Sequence, residues 1–180
     1  MERLIMDENA IQRALVRITY EIIERNKGAE YVCLVGILSR GAIIAQRIAD
    51  KIQELEGISV DCGVLDITPY RDDIPPDSSH VDKTVIPFST KDRHVVICDD
   101  VLYTGRSTRA AIDAVIRHGR PRTVQLAVLV DRGHREVPIR PDYVGKNLPT
   151  SRSETVKVSV RELDGEEHVC ICQPEERSAP

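Results

Sequence analysis

Two nearly uninterrupted apolar segments, 31–37 and 94–98, constrain the fold of this chain more than any other feature. Each has the length of a strand, and neither alternates apolar with polar residues. This pattern is typical of strands that are buried on both faces of a parallel sheet. Segments 60–67 and 123–130 predict two further strands of the same sheet.

Helical patterns separate these strands. Asp7 can cap a first helix that ends near Gly28, a second helix opens at Gly41 and closes at Gly57, and a third covers 107–118. The order strand, helix, strand, loop, strand, helix, strand predicts a doubly wound, mostly parallel sheet flanked by helices. We therefore predict one α/β domain over residues 1–180.

The remaining segments carry weaker patterns. Segment 68–92 is rich in proline and polar residues, and so long a loop is often an active-site lid. Segment 131–153 is predicted to be irregular, and 156–160 and 168–172 are predicted to be closing strands. The first four residues are expected to lead straight into the first helix, and the tail 174–180 is expected to be frayed.

Composition excludes several classes of protein. No apolar run approaches the roughly 20 residues of a membrane helix, and no secretory leader is recognisable, which predicts a cytoplasmic protein. The five cysteines form no CxxC pair and no zinc spacing, so they are predicted to be free thiols. The net charge is −4, but 103–152 has ten Lys or Arg and four Asp or Glu, a local +6 that suits phosphates, pyrophosphate or RNA.

The residues that suggest chemistry follow the apolar segment 94–98. Asp99 and Asp100 come first, and 104–107, a Thr-Gly-Arg-Ser turn, opens the next helix. Backbone N–H groups at a helix N-terminus favour phosphate, and Gly105 permits close approach of the backbone. Carboxylates beside a phosphate site suit a sugar phosphate, because they accept hydrogen bonds from ribose hydroxyls and can hold Mg²⁺.

This stretch resembles the 13-residue signature of the type I phosphoribosyltransferases, which bind 5-phosphoribosyl-1-pyrophosphate (PRPP). The matching residues are Val95, Val96, Ile97, Cys98, Asp99, Asp100, Val101, Leu102, Tyr103, Thr104, Gly105, Arg106 and Ser107. The resemblance implies that Asp99 and Asp100 orient the ribose and hold Mg²⁺, mostly through the substrate. It also implies that the turn at 104–107 holds the 5′-phosphate.

Three further segments resemble the same family. Ser39, Arg40 and Gly41 match its pyrophosphate loop, with Arg40 as a third catalytic residue, although Leu38 stands where relatives often have a basic residue. Tyr70, Arg71 and Asp72 match the start of its flexible loop, about 70–87. Segment 131–155 resembles the small hood that holds the base, with four candidate base contacts, Arg132, Val144, Lys146 and Val156.

The amino-acid sequence of this hood segment resembles the pyrimidine-attenuator branch in particular, and not phosphoribosyltransferases generally. That branch implies a uracil phosphoribosyltransferase, which makes UMP and pyrophosphate from uracil and PRPP with Mg²⁺. It also implies a regulator of pyrimidine-operon transcription that binds leader mRNA in response to UMP or UTP, as a homodimer or higher homo-oligomer. Tyr103 favours a pyrimidine, because purine-salvage relatives usually have a carboxylate there.

Three alternatives stay open. The chain can be a phosphoribosyltransferase for another base with no RNA-regulatory role, or an RNA-binding regulator whose enzyme activity is secondary. A nucleotide-binding α/β domain of another kind is disfavoured, because no GxGxxG motif follows the first strand and no Walker A motif occurs.

Overall fold

A computed structural model describes residues 2–75 and 79–173 of the chain. The expected frayed tail, 174–180, and residues 76–78 of the expected flexible loop lie outside the described residues. Within the described part, no helix combines the length and the apolar character needed to cross a membrane.

The structure contains two sheets and four α-helices among the described residues. The strands are β1 (Glu2–Met6), β2 (Val32–Ile37), β3 (Asp61–Leu65), β4 (His94–Leu102), β5 (Thr123–Asp131), β6 (Tyr143–Asn147), β7 (Thr155–Ser159) and β8 (His168–Cys172). The helices are α1 (Glu8–Arg25), α2 (Arg40–Glu56), α3 (Arg106–His118) and α4 (Arg161–Asp164), and Thr68–Tyr70 forms a 3-10 turn.

The larger sheet has five parallel strands in the order β3-β2-β4-β5-β6. Neighbouring residues of its central strands point to opposite faces, where Leu34 and Val96 pack with α1 and α2, while Val35 and Ile97 pack with α3. Both faces are therefore buried, as the uninterrupted apolar segments predict. The predicted doubly wound sheet is confirmed.

Several predicted element boundaries are also confirmed. The Asp7 carboxylate caps α1 by accepting a hydrogen bond of 2.8 Å from the Ala10 N–H. Gly57 ends α2 with a φ of +69°, in the left-handed region. β4 is longer than predicted, because it continues to Leu102 and so contains Asp99 and Asp100, which were expected to follow it.

Two predictions about chain segments are wrong. Residues 2–4 do not lead straight into a helix, because β1 pairs with β8 in a separate antiparallel sheet of order β1-β8-β7. Segment 131–153 is not wholly irregular, because β6 adds a fifth parallel strand at the edge of the larger sheet. The partner of β1 lies more than 160 residues later in the chain, whereas β6 pairs with β5, the strand before it.

An ion-pair cluster joins the small sheet to α2, which packs on the larger sheet. Arg47 of α2 pairs with Glu162 of α4 and with Glu167, which lies just before β8. The Glu167 side chain is only 2% exposed, so its charge is neutralised in a buried position. Removal of one member of such a pair leaves an uncompensated buried charge.

We expect Ile18→Ala to lower the free energy of unfolding by about 2–5 kcal/mol, because it leaves a cavity beneath α1. Ile18 is fully buried among the side chains between α1 and the sheet. Urea unfolding followed by circular dichroism measures the change. The matched control is Ile116→Ala on α3, where the side chain is 57% exposed, and a change of no more than about 0.5 kcal/mol is expected. Equal losses in the two variants would contradict the described core.

Candidate active site

The candidate site lies at the carboxyl end of the larger sheet, where ligands bind in open parallel sheets. β2 delivers Ser39 to this edge, β4 delivers Asp99 and Asp100, and β5 delivers Arg132. The first four residues of the 13-residue signature, 95–98, are 0% exposed. They form part of the sheet core and position the polar residues that follow.

The turn between β4 and α3 forms a cradle for an anion. Gly105 precedes α3 with a φ of +88°, which favours glycine. A Cβ atom there would lie 2.7 Å from the Val137 side chain, so a larger residue has no room. The turn borders a cavity of about 330 Å³, and Thr104 and Ser107 are among the residues that line it. Unpaired N–H groups at the start of a helix favour phosphate in such a place.

Asp99 and Asp100 lie side by side at the centre of the cleft. Asp99 Oδ1 accepts a hydrogen bond of 2.9 Å from the Asp100 N–H, and Asp100 Oδ1 accepts one of 2.8 Å from the Val101 N–H. Neither carboxylate forms an ion pair with any described residue. Burial, and then the neighbouring charge of Asp100, raise the pKa of Asp99 well above its usual range. A cation or hydroxyl donors would stabilise the charged pair.

The loop between β2 and α2 lies directly against β4. A Cβ atom at Gly41 would lie 2.4 Å from the Cys98 carbonyl oxygen, so only glycine fits there. Leu38 and Ser39 border a second cavity, of about 530 Å³, together with Asp99 and Asp100. The predicted pyrophosphate loop therefore does meet the predicted ribose carboxylates.

Arg40 behaves differently from its neighbours. Its guanidinium donates a hydrogen bond of 2.7 Å to Asp164 at the end of α4. Arg40 does not border either cavity next to the carboxylates. Leu38 and Ser39 thus border the cleft, whereas the Arg40 side chain connects α2 to α4.

Two basic residues that the sequence analysis did not select border the second cavity. Lys83 belongs to the predicted flexible loop, and His80 lies nearby in the same loop. Arg71, which was selected, borders both cavities. A basic residue within a long loop otherwise rich in Asp, Ser and Pro was the available signal for Lys83.

The first residues of the flexible loop are held by α3. The Tyr70 carbonyl oxygen accepts a hydrogen bond of 2.8 Å from Arg109, and the Arg117 guanidinium lies 5.4 Å from the centre of the Tyr70 ring. Asp72 pairs with Arg106 at 2.7 Å, and Arg106 also pairs with Glu136. Arg106 therefore links the cradle, the loop and segment 131–155.

Asp66 organises the other end of this loop. It is only 6% exposed and accepts hydrogen bonds from the N–H groups of Thr68 and Lys83 and from the His80 ring. The contact with Thr68, two residues on, is an Asx turn, which an Asp-x-Thr sequence allows. Burial alone would raise the pKa of Asp66, but the hydrogen bonds from Thr68, Lys83 and His80 lower it to about 2.

The four candidate base contacts are not all brought together. Arg132 borders a cavity of about 300 Å³ with His134, Asn147 and Thr150. Val144 lies in β6, where its carbonyl oxygen accepts a hydrogen bond from Arg17, and Lys146 lies further along the same strand. Val156 belongs to β7 of the other sheet. Of the four, only Arg132 borders this cavity.

Arg132 is itself held in place. Its guanidinium donates to the Thr150 hydroxyl and to the carbonyl oxygens of Ser151 and Glu154. The same group lies 4.1 Å from the centre of the Tyr103 ring, and His134 approaches that ring edge-on. Tyr103 thus links the phosphate cradle to this third cavity.

Known proteins are similar to this chain in sequence and in fold. A family model described as "Phosphoribosyl transferase domain" matches residues 5–162. The "Bifunctional protein PyrR" of Clostridioides difficile is 58% identical over 171 residues, 93% of this chain and 96% of the relative. That of Deinococcus radiodurans is 55% identical over 174 residues, 96% of this chain and 95% of the relative.

Solved structures with a similar fold are more distant in sequence. A hypoxanthine phosphoribosyltransferase from Staphylococcus aureus has a TM-score of 0.73 at 18% identity and covers 98% of this chain and 94% of its own. The hypoxanthine phosphoribosyltransferase of Trypanosoma cruzi has a TM-score of 0.73 at 17% identity, with 96% and 97% covered. At this identity the likeness shows the fold alone.

We expect Asp66→Asn to lower the free energy of unfolding at pH 7 by about 2 kcal/mol, since one pKa unit corresponds to about 1.4 kcal/mol. A folded-state pKa lowered from 3.8 to about 2 stabilises the protein above pH 4, and this contribution is lost as the pH falls through 2. Urea unfolding between pH 2 and pH 7 should show a shallower acid limb in the variant.

The matched control for this change is Asp113→Asn on α3, an exposed carboxylate that pairs with Arg109. Such helix-surface pairs contribute about 0.3–0.5 kcal/mol. An Asp66→Asn variant as stable as this control, with an unchanged acid limb, would show that Asp66 does not organise the loop.

Proposed function

The chain belongs to the phosphoribosyltransferase family and, within it, to the bifunctional PyrR proteins, and from this membership we propose how its cleft works. The protein is a uracil phosphoribosyltransferase that makes UMP and pyrophosphate from uracil and PRPP. It is also an attenuator of pyrimidine-operon transcription. A phosphoribosyltransferase for another base with no RNA-regulatory role is not favoured. The observation that carries the catalytic assignment is the adjacent pair Asp99 and Asp100 beside the Gly105 turn.

The 5′-phosphate of PRPP lies in the cradle at the start of α3. The N–H groups of the turn 104–107 donate to the phosphate oxygens, and the Thr104 and Ser107 hydroxyls add two further donors. The α3 dipole stabilises the negative charge. This end of the substrate supplies binding energy that fixes the position of the reacting carbon.

Asp99 and Asp100 accept hydrogen bonds from the ribose hydroxyls. Two adjacent carboxylates without an ion-pair partner among the described residues also fit Mg²⁺, which phosphoribosyltransferases generally use with PRPP. When bound with the substrate, Mg²⁺ neutralises charge on the pyrophosphate. The two side chains hold the ribose ring while its anomeric carbon gains positive charge.

The bond from the anomeric carbon to the pyrophosphate oxygen breaks as the bond to uracil N1 forms. Pyrophosphate leaves with the electron pair of the broken bond and takes up the proton that uracil N1 releases. Positive charge on the ribose ring and negative charge on the pyrophosphate grow together, so stabilisation is mainly electrostatic. The flexible loop 70–87 closes over the cleft and excludes water, which would otherwise attack the same carbon.

Pyrophosphate binds against the predicted pyrophosphate loop, whose Leu38 and Ser39 border the second cavity. Arg71 and Lys83 supply positive charge there, and both border this cavity. Arg40 was predicted as a catalytic residue, but its pairing with Asp164 supports a positioning role for its side chain. Lys83 thereby provides the basic side chain that Leu38 does not.

Uracil enters the third cavity, next to Tyr103. Arg132 and Asn147 border this cavity, and the neutral, polar set of Asn147 and Thr150 suits the carbonyl and N–H edge of a pyrimidine. The hydrogen bonds that Arg132 donates to Thr150, Ser151 and Glu154 hold this wall of the cavity in place. Val144, Lys146 and Val156 remain predicted base contacts, although none of the three borders this cavity.

The regulatory activity uses the basic segment 103–152 of the chain. Arg106 and Arg109 are occupied by carboxylates near the cleft, whereas Arg117 and Arg122 lie over the Tyr70 and Tyr31 rings. Tyr31 is 53% exposed, so it offers a face on which an RNA base can stack. Leader mRNA bound near such groups would respond to UMP or UTP in the cleft.

We further propose a cytoplasmic homodimer or higher homo-oligomer. Tyr20 is 54% exposed and lies near the half-buried Val16 on α1, where the two side chains form a small apolar surface among polar and charged residues. An exposed apolar surface of this kind supports self-association.

We expect Asp99→Asn and Asp100→Asn each to reduce kcat/KM for UMP formation at least about tenfold, roughly 1.4 kcal/mol of transition-state stabilisation. The assay combines uracil, PRPP and Mg²⁺ and measures UMP, with hypoxanthine and orotate as control bases. Asp50→Asn on α2, where the carboxylate accepts a hydrogen bond from Gln46, is the matched control and should retain activity. Near-normal turnover in both cleft variants would remove the carboxylate pair from the mechanism.

We expect UMP to tighten binding of the pyrimidine-operon leader transcript from the same genome. If the effect is tenfold, RNA must tighten UMP binding tenfold as well, about 1.4 kcal/mol each way. Filter binding should also show affinity falling with salt at a log-log slope near −0.7 per phosphate neutralised. An unrelated transcript of equal length should bind more weakly. Equal binding of the two transcripts, or no response to UMP, would leave only the enzyme.

A further inference from the structure

A cluster of two thiols and a carboxylate lies on the small sheet, away from the cleft. Its members are Cys170 and Cys172 of β8 and Glu2 of β1. We propose that these three side chains form a binding site for a thiophilic divalent cation of the Zn²⁺ type, with solvent as the fourth ligand. The five cysteines showed no zinc spacing in the sequence, because one of the three ligands comes from the other end of the chain.

The strand register explains how the three groups meet. Cys170 and Cys172 are two residues apart in β8, so both side chains point to the same face of the sheet. Glu2 lies directly opposite Cys172 in the antiparallel pair of β1 and β8. Side chains of opposed residues on one face of such a pair are neighbours. The backbone therefore fixes all three groups on one side.

The distances match tetrahedral coordination. Glu2 Oε1 lies 3.6 Å from Cys170 Sγ and 3.3 Å from Cys172 Sγ, and the three ligand atoms lie within 4.8 Å of one another. Zinc bonds of about 2.3 Å to sulfur and 2.0 Å to oxygen at a tetrahedral angle place those two ligand atoms about 3.5 Å apart. Little movement of the side chains is needed to bind the ion.

The chemistry of the three side chains also favours a cation. Two thiols and a carboxylate bind a metal ion as anions, so a cation between them stabilises the thiolates. Lys157 of β7 and His168 of β8 are the nearby basic groups.

A disulfide is a poorer use of the same two cysteines. Residues two apart in an extended strand have Cα atoms about 6.6–6.8 Å apart, at the far limit of disulfide geometry. The thiol pair also selects the kind of metal, because sulfur ligands favour Zn²⁺ over Mg²⁺ or Ca²⁺. Cys172 and Glu2 are not buried, which leaves access for the ion and for a solvent ligand. The bound ion would fasten β1 to β8.

The test uses Co²⁺ as a spectroscopic substitute for Zn²⁺. One equivalent of Co²⁺ is added to the reduced, chelator-treated full-length protein. Thiolate ligation gives charge-transfer absorption in the near ultraviolet and tetrahedral bands in the visible, and excess Zn²⁺ should abolish both. Carboxylates of the catalytic cleft cannot give the charge-transfer band, so the result does not depend on the phosphoribosyltransferase assignment.

The variants identify the ligands. Cys170→Ser with Cys172→Ser should eliminate the charge-transfer band, and Glu2→Gln should weaken Co²⁺ binding at least about tenfold. The matched control is Cys62→Ser on β3, a half-buried thiol outside the cluster, which should leave the band unchanged. Zn²⁺ should also raise the Tm of the wild type but not that of the double variant.

No charge-transfer band in the folded wild type, or a band that persists in the double variant, would overturn the site. Equal Co²⁺ affinity of the wild type and Glu2→Gln would overturn it as well, because Glu2 would then not be a ligand of the ion. Circular dichroism of each variant establishes that it is folded before the metal is added.

Discussion

The close contact between Gly41 and the middle of β4 is the constraint on which the cleft depends. A side chain at Gly41 would collide with the Cys98 carbonyl oxygen, at 2.4 Å from its Cβ. Gly36 is equally restricted, because a Cβ there would lie 2.3 Å from Ala42. Two glycines thus allow the turn between β2 and α2 to reach the next strand. Leu38 and Ser39 border the same cavity as Asp99 and Asp100 for this reason.

The parts of this arrangement that follow from local chemistry could be predicted from the sequence. Burial on both faces of the sheet is visible in the sequence as nearly uninterrupted apolar segments, because neither face of such a strand contacts solvent. Asp7 could be identified as a cap and Gly105 as the turn of a phosphate cradle, because each role depends on a few adjacent residues. The resemblance of 95–107 to a known signature then gave the substrate class.

The parts that depend on distant partners could not be predicted. β1 is a strand only because β8, more than 160 residues later, pairs with it. β6 contains Gly145 and Lys146, so its short apolar stretch carries little signal. The direction of the Arg40 side chain is set by Asp164, 124 residues away. Asp66 stands near the end of a predicted strand, 60–67, and its hydrogen bond with the Lys83 N–H has no local signature.

The extension of β4 to Leu102 has a consequence for the energetics of binding. Asp99 is paired with Val128 and Val101 with Val130 in the ladder with β5, so the backbone that carries the carboxylates is already ordered. Under the proposed mechanism, binding of the ribose then requires little loss of conformational entropy on this side of the cleft, so more of each hydrogen bond contributes to affinity. Among the described residues of the predicted flexible loop, the bridge between Val64 and Val85 is the one β-bridge to the sheet. The same mechanism therefore concentrates affinity in the rigid strand and makes the lifetime of the product complex depend on how often the proposed lid opens.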